Sequence, residues 1–188
     1  MNASNQLTFL RIVLAFICIG FILKNTFISL LVAFIIFLFA SLTDFLDGLL
    51  ARKHKAVSDL GKLIDPIADK ILIVGVFLAF LQLGVVNTWI VSVIMLREFI
   101  VTGLRLYSLR RGVVLEAKGL GKHKTLSQII GIVVIFVVLI LLRSNPQHRF
   151  VLLLYEKGIS LVMWYVLIIT LYSGVYYFWI NRKMIKTF

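Results

Sequence analysis

The sequence is poor in several residue types that soluble proteins use freely. It contains one cysteine, two prolines and eight acidic residues among 188. Because Cys18 is alone, no intrachain disulfide can form, and such a residue usually serves as a small buried hydrophobe.

The first six residues carry no Lys or Arg, and no small-residue cleavage site closes the apolar run that follows. We therefore expect no removable signal peptide, and the first apolar segment should remain as a membrane helix.

Apolar residues dominate the composition. They make up 61% of the chain and give a mean hydropathy of +1.05, whereas soluble domains are about 45–50% apolar. The sequence therefore predicts an integral membrane protein surrounded by membrane lipid. A spanning helix needs roughly 20 residues, so the length allows six spans and no separate soluble domain. Residues 1–188 are predicted to form a single membrane domain.

The apolar segments and their polar interruptions predict an all-α bundle of six transmembrane helices. Turns are expected at Lys24–Asn25, at a loop with Gly84 as its hinge, and at the polar connection Asn145–His148. The predicted spans cover approximately residues 7–23, 27–51, 61–83, 89–109, 125–142 and 161–180.

Basic residues far outnumber acidic ones, 20 against 8, for a formal charge of +12. In a soluble protein this excess would suggest a nucleic-acid partner. Here the basic residues flank apolar spans, so we expect no nucleic acid, and topology and anionic lipid account for most of the charge. Residues 52–62, 105–124 and 182–186 hold 13 of the 20. The positive-inside rule then places both termini and this face in the cytoplasm, which predicts a multi-pass plasma-membrane protein.

Four aspartates lie in or at the ends of strongly apolar runs. Burial of an unpaired carboxylate is costly, so a bound cation is expected nearby. Asp44 and Asp47 are three residues apart, and Asp65 and Asp69 are four apart, so each pair shares one helix face. If spans two and three form an antiparallel hairpin, their cytoplasmic ends bring the pairs together. Ligands that are all oxygen favour Mg²⁺ or Mn²⁺ over zinc.

Small residues and one arginine accompany these carboxylates. Gly48, Ala51 and Gly61 can serve close packing between membrane helices. Alternatively, together with the four acids, they leave space for a large ligand against bare backbone. In that case Arg52 can bind a phosphate group through its planar guanidinium.

The pattern Asp44-x₂-Asp47-Gly48-x₂-Ala51-Arg52-x₈-Gly61-x₃-Asp65-x₃-Asp69 resembles the full signature of the CDP-alcohol phosphotransferases. The resemblance extends to the six spans. It implies that an alcohol displaces CMP from a CDP-linked lipid with the help of two divalent metal ions, and that the protein is a homodimer. It also implies that the four aspartates bind the metal and that Asp69 is the base that takes the acceptor's proton. The CDP contacts implied by the resemblance are Thr8, Asp44, Gly48, Ala51, Arg52, Gly61 and Asp65.

Other stretches resemble the branch of this family that uses CDP-diacylglycerol as donor and sn-glycerol 3-phosphate as acceptor. They are Asn5–Thr8 with Arg11, Arg97–Val101 leading to Leu104–Arg105, and Gly121–Thr125 before Ser127–Gln128.

An acceptor that carries a phosphate needs cationic partners. Arg97 and Arg105 are eight residues apart, close to two helical turns, and Lys124 can approach them from the next span. We expect these three residues to bind the glycerol phosphate. Alternatively, Arg97 pairs with an acid such as Glu98, and Arg105 extends to the membrane surface.

Two other functions fit parts of the sequence. A sister enzyme of the same family would use inositol phosphate, serine or phosphatidylglycerol as acceptor. A cation-coupled or proton-coupled transporter would also place acids within the membrane. The transporter does not explain why Gly48, Ala51, Arg52 and Gly61 stand at fixed positions beside the acids.

Overall fold

Helices are the regular secondary structure of the part of the chain that the structure describes. This computed structural model describes the backbone of residues 3–50, 59–110 and 120–185 and the side chains of residues 9–43, 70–108 and 124–182. No strand occurs within these ranges. The helices are α1 (Ala3–Lys24), α2 (Phe27–Leu50), α3 (Asp59–Gln82), α4 (Thr88–Arg110), α5 (Leu120–Ser144), the short α6 (Arg149–Leu153) and α7 (Ile159–Ile185). The predicted all-α class is confirmed.

The last apolar segment begins earlier than the sequence predicted. A helix starts at Arg149 and continues through one π-helical turn, Leu154–Gly158, into α7. The predicted start near Leu161 was wrong because Glu156 and Lys157 do not interrupt the helix. Both are good helix formers, and their side chains lie exposed on its surface.

The connections between the first helices follow the predicted turn residues. Asn25 has a φ of 50° and Gly84 a φ of 70°, a left-handed conformation that Asn and Gly adopt most readily. Thr26 and Ser29 cap the start of α2 reciprocally, since each backbone amide donates to the other's hydroxyl oxygen, at 2.9 and 3.2 Å. Asn87 caps α4 by accepting a hydrogen bond from the Trp89 amide at 2.9 Å, as Asn commonly does at this position.

A phenylalanine cluster holds α2, α3 and α5 together. The Phe136 ring of α5 lies 5.5 Å from Phe34, 5.9 Å from Phe37 and 5.2 Å from Phe80, measured between ring centroids. Around this cluster, α1 packs along both α2 and α3, and α7 packs against α4 and α5. Cys18 of α1 is buried and donates from Sγ to the Ala33 carbonyl at 3.4 Å, which confirms its predicted place in the core.

Among the described residues, two helical stretches are long and apolar enough to cross a membrane. They are Lys124–Ser144 and Arg149–Arg182. Shorter apolar helices cover Phe27–Thr43 and Lys70–Gln82. Large apolar side chains such as Trp89 and Ile28 lie exposed on the outer surface, as expected for helices that face lipid. The count of six spans and the cytoplasmic termini stay predictions.

Candidate active site

A buried carboxylate joins three helices near the aspartate-bearing segments. Glu98 of α4 is only 4% exposed. Its Oε2 accepts a hydrogen bond from Lys70 Nζ of α3 at 2.8 Å. Its Oε1 forms an ion pair with Lys124 of α5 and accepts from Gln128 Nε2 at 3.2 Å and from Arg97 Nη1 at 3.3 Å. We call these five residues the Glu98 cluster.

The Glu98 cluster carries more positive than negative charge. Three cations, Lys70, Arg97 and Lys124, surround one carboxylate, and all four side chains are mostly buried. Buried charges are tolerated only where they are paired and hydrogen-bonded. The carboxylate is therefore fully satisfied, whereas the cations retain the capacity to bind another anion.

A cavity of about 90 Å³ adjoins the cluster. Each of the first five helices contributes to its wall, and the polar side chains that line it include Arg11, Ser41, Lys70, Glu98, Lys124 and Gln128. Most of these groups are basic or amide donors, so the cavity is suited to an anionic or hydroxylated ligand. Within the described residues, the buried Ser41 hydroxyl has no hydrogen-bond partner.

The cavity lies next to the predicted metal-binding residues along the chain. Ser41 precedes Asp44 by three residues on α2, and Lys70 directly follows Asp69 on α3. Both aspartate pairs therefore lie on helices, as predicted, with the spacing that keeps each pair on one helix face. The structure does not describe the side chains of the four aspartates or of Thr8. It describes Gly48 and Gly61 by their helical backbone alone. Ala51 and Arg52 lie outside the described residues.

The structure brings together two of the three predicted acceptor-binding residues. Lys124 lines the cavity. Arg97 pairs with Glu98 and also donates from Nη2 to the Ser173 hydroxyl of α7 at 2.9 Å. Arg105 lies further along α4, with its guanidinium carbon 6.0 Å from the centre of the Tyr177 ring. Glu98 thus brings Lys124 and Arg97 together, while Arg105 packs against α7.

Three residues of the Glu98 cluster were not among the predicted ligands. Lys70 and Gln128 each contact Glu98 directly in the structure. The available signal was the presence of Lys70 and Glu98 inside otherwise apolar segments, where an ionisable residue usually has a function. Their mutual pairing has no sequence signal because they come from three different helices.

Comparison with known sequences identifies the protein family. The model of the CDP-alcohol phosphatidyltransferase family matches residues 1–176. The chain belongs to this family. The family match therefore confirms the resemblance carried by the aspartate signature.

Several curated relatives are named CDP-diacylglycerol–glycerol-3-phosphate 3-phosphatidyltransferase. The protein from Bacillus subtilis is 39% identical over 153 residues, which are 81% of this chain and 75% of the relative. The protein from Rickettsia felis is 34% identical over 183 residues, 97% of this chain and 96% of the relative. The protein from Mycoplasma genitalium is 45% identical over 121 residues, 64% of this chain, and the match spans about half of that relative, 51%.

Members of the CDP-alcohol phosphatidyltransferase family generally depend on divalent metal, and the residues of this chain fit such an ion. Asp44 and Asp47 are one turn apart on α2, and Asp65 and Asp69 are one turn apart on α3. This set offers only carboxylate oxygens, the ligands that Mg²⁺ and Mn²⁺ prefer. The described side chains contain no cluster of three or more His, Cys, Asp or Glu residues that could hold a metal ion.

Proposed function

We propose that this protein transfers the phosphatidyl group of CDP-diacylglycerol to sn-glycerol 3-phosphate. The products are phosphatidylglycerol phosphate and CMP. The observation that carries this assignment is the basic cavity beside the aspartate-bearing helices of a CDP-alcohol phosphatidyltransferase. The names of the relatives that match along nearly the whole chain support the same donor and acceptor.

The reaction exchanges one phosphorus–oxygen bond for another. A hydroxyl oxygen of glycerol 3-phosphate bonds to the phosphorus of the phosphatidyl group, and the bond from that phosphorus to CMP breaks. The hydroxyl proton passes to Asp69, and CMP leaves with the bridging oxygen and the electron pair of the broken bond. Asp69 follows a helix-borne acid, Asp65, by one turn, which gives the base a position within the proposed metal site.

Two ions, Mg²⁺ or Mn²⁺, would be held by Asp44, Asp47, Asp65 and Asp69. Bound there, they would neutralise the diphosphate and stabilise the departing CMP. The CDP group itself would contact Thr8, Asp44, Gly48, Ala51, Arg52, Gly61 and Asp65. Glycine and alanine carry little or no side chain that would block a bulky diphosphate, and Arg52 supplies a planar partner for it.

The acceptor phosphate binds at the basic wall of the cavity. Lys124 lines the cavity directly, so it is the first candidate to contact the phosphate. Arg97 adds positive charge behind Glu98, since its guanidinium lies 3.3 Å from Oε1. Arg105 extends the basic surface along α4, beside the buried Tyr177 of α7. The three residues together favour a phosphorylated acceptor over a neutral one.

The enzyme works at the surface of a membrane. Six helices span the bilayer, both termini and the active site face the cytoplasm, and the protein resides in the plasma membrane as a homodimer. The excess of basic residues near the aspartates supports this orientation, and the apolar outer surface supports insertion. Donor and product are then both lipids that stay in the membrane, while glycerol 3-phosphate and CMP exchange with the cytoplasm.

An acceptor panel tests the assignment. Purified protein is given radiolabelled CDP-diacylglycerol, Mg²⁺ or Mn²⁺, and one acceptor at a time: glycerol 3-phosphate, inositol phosphate, serine or phosphatidylglycerol. We expect labelled phosphatidylglycerol phosphate with glycerol 3-phosphate alone. Product with another acceptor and none with glycerol 3-phosphate would assign the protein to a sister enzyme. Ion transport by protein that released no CMP with any acceptor would favour the transporter.

A further inference from the structure

We infer that Glu98 is a positioning residue of the acceptor site, which holds Lys70 and Lys124 at the wall of the cavity and sets the charge that the acceptor phosphate meets. The inference rests on the proposed function. Glu98 itself does not bind the acceptor phosphate, because both of its oxygens are engaged by the two lysines and Gln128 and a carboxylate would repel the phosphate. It acts through the cations that it binds.

The contacts of Glu98 make it the common partner of both lysines. Lys70 Nζ lies 2.8 Å from Oε2, and Lys124 pairs with Oε1, so the two ammonium groups occupy opposite oxygens of one carboxylate. Gln128 donates to Oε1 as well, which restricts rotation of the carboxylate. The two lysines come from α3 and α5, so their separation depends on the orientation of one buried side chain.

No other described acid can replace Glu98 in this role. The structure describes two acidic side chains, Glu98 and Glu156, and Glu156 lies exposed on the π-helical turn. Without the carboxylate, Lys70, Arg97 and Lys124 would be buried near one another and would repel. We therefore expect the two lysines to move apart and the cavity wall to lose its arrangement of donors.

The charge of the cluster matches that of a phosphate monoester. Three cations and one carboxylate leave a formal charge of +2, and a phosphate monoester carries about −1.5 to −2 near neutral pH. An acceptor phosphate would therefore neutralise the cluster almost completely. A hydroxyl-only acceptor such as serine's side chain, or inositol without its phosphate, would leave the excess charge uncompensated. Glu98 in this way contributes to the choice of acceptor.

The competing explanation is that Glu98 forms a purely structural ion pair. A structural role and a positioning role predict different effects on stability and on the Michaelis constants. Loss of a structural pair lowers stability and the amount of active protein, but it leaves the Michaelis constants of the remaining molecules unaltered. Loss of a positioning residue raises the KM for the acceptor whose cations it holds and spares the KM for the lipid donor.

The test compares Glu98→Gln, which removes the charge but keeps the shape, with Glu98→Asp, which keeps the charge one methylene shorter. Glu156→Gln is the matched control, since it removes an exposed acid that is not a member of the cluster. We expect Glu98→Gln to raise the KM for glycerol 3-phosphate about tenfold or more and to change that for CDP-diacylglycerol less than about twofold. Glu98→Asp should recover part of the loss, and Glu156→Gln should behave as wild type.

Two further measurements make the result independent of turnover. Thermal unfolding with and without glycerol 3-phosphate should show ligand stabilisation in wild type that is much reduced in Glu98→Gln. Because Glu98 acts partly through Lys124, the double variant Glu98→Gln/Lys124→Met should raise the acceptor KM by less than the product of the two single effects. Should Glu98→Gln fail to fold, the same comparisons are made with Glu98→Asp, whose acceptor KM should still rise selectively.

An unchanged acceptor KM in folded Glu98→Gln or Glu98→Asp, with only the yield or kcat reduced, would overturn the inference and leave the proposed function intact. Fully additive effects of the Glu98 and Lys124 substitutions would also overturn it. Failure of the proposed function has a different signature, because wild-type protein would then form no phosphatidylglycerol phosphate from glycerol 3-phosphate.

Discussion

Gly174 of α7 leaves the space that the Arg97 side chain of α4 occupies. A Cβ atom at position 174 would lie 3.2 Å from both Cγ and Nε of Arg97, which is tighter than ordinary van der Waals contact. The neighbouring Ser173 accepts a hydrogen bond from Arg97 Nη2 at 2.9 Å. These two residues of α7 therefore contact the Arg97 side chain and help to hold it beside Glu98.

We predict that Gly174→Ala raises the KM for glycerol 3-phosphate about threefold to tenfold. The added methyl group displaces Arg97 by a few tenths of an ångström, and a misplacement of about 1 Å can cost about 100-fold. Steady-state kinetics with both substrates measures the effect. Gly103→Ala on α4 is the control, because a Cβ there meets nothing within 4 Å. Equal changes in the two variants would contradict the proposed contact.

Arg105 provides a second test of the acceptor site. We predict that Arg105→Ala raises the KM for glycerol 3-phosphate about tenfold and that for CDP-diacylglycerol less than about twofold, because only the acceptor loses a cationic partner. Arg143→Ala is a suitable control, since Arg143 bonds to Asn25 at an exposed position, at 3.3 Å. An equal rise in both constants would instead assign Arg105 to packing against Tyr177.

Asp69→Asn is expected to abolish turnover. The amide of asparagine cannot take the proton of the acceptor hydroxyl, and it offers the metal ion no negative charge. General-base catalysis alone contributes about 100-fold or more to the rate. Release of labelled CMP measures the loss, and Asp59→Asn serves as a control on the same helix, because Asp59 occupies an unspecified position of the signature. Substantial activity in Asp69→Asn would remove its role as the base.

The phenylalanine cluster should control stability without affecting the kinetic constants. Phe136→Ala removes the ring that contacts Phe34, Phe37 and Phe80, and such a cavity costs about 3–5 kcal/mol of unfolding free energy. Phe16→Ala should change stability by less than about 0.5 kcal/mol, because Phe16 is 64% exposed on the outer surface. Unfolding in detergent distinguishes the two. Comparable losses would mean that Phe136 is not central to the core.

Much of the helical framework was predictable from the sequence. Apolar runs end at residues that favour turns, and the structure has its turns at Asn25 and Gly84 because both residues adopt positive φ at low cost. The error at the last helix has an equally local cause. Charges at Glu156 and Lys157 indicate exposure, but they do not by themselves end a helix.

The sequence alone determined the helical segments, the family and the placement of two aspartate pairs on α2 and α3, because these depend on composition and on spacings within one helix. Only the tertiary structure decided which charges meet. Lys70 and Gln128 are 28 and 30 residues from Glu98, and no spacing along the chain relates residues of separate helices. Their meeting follows from how α3, α4 and α5 pack, since a buried carboxylate is stable only where that packing brings cations and donors to it.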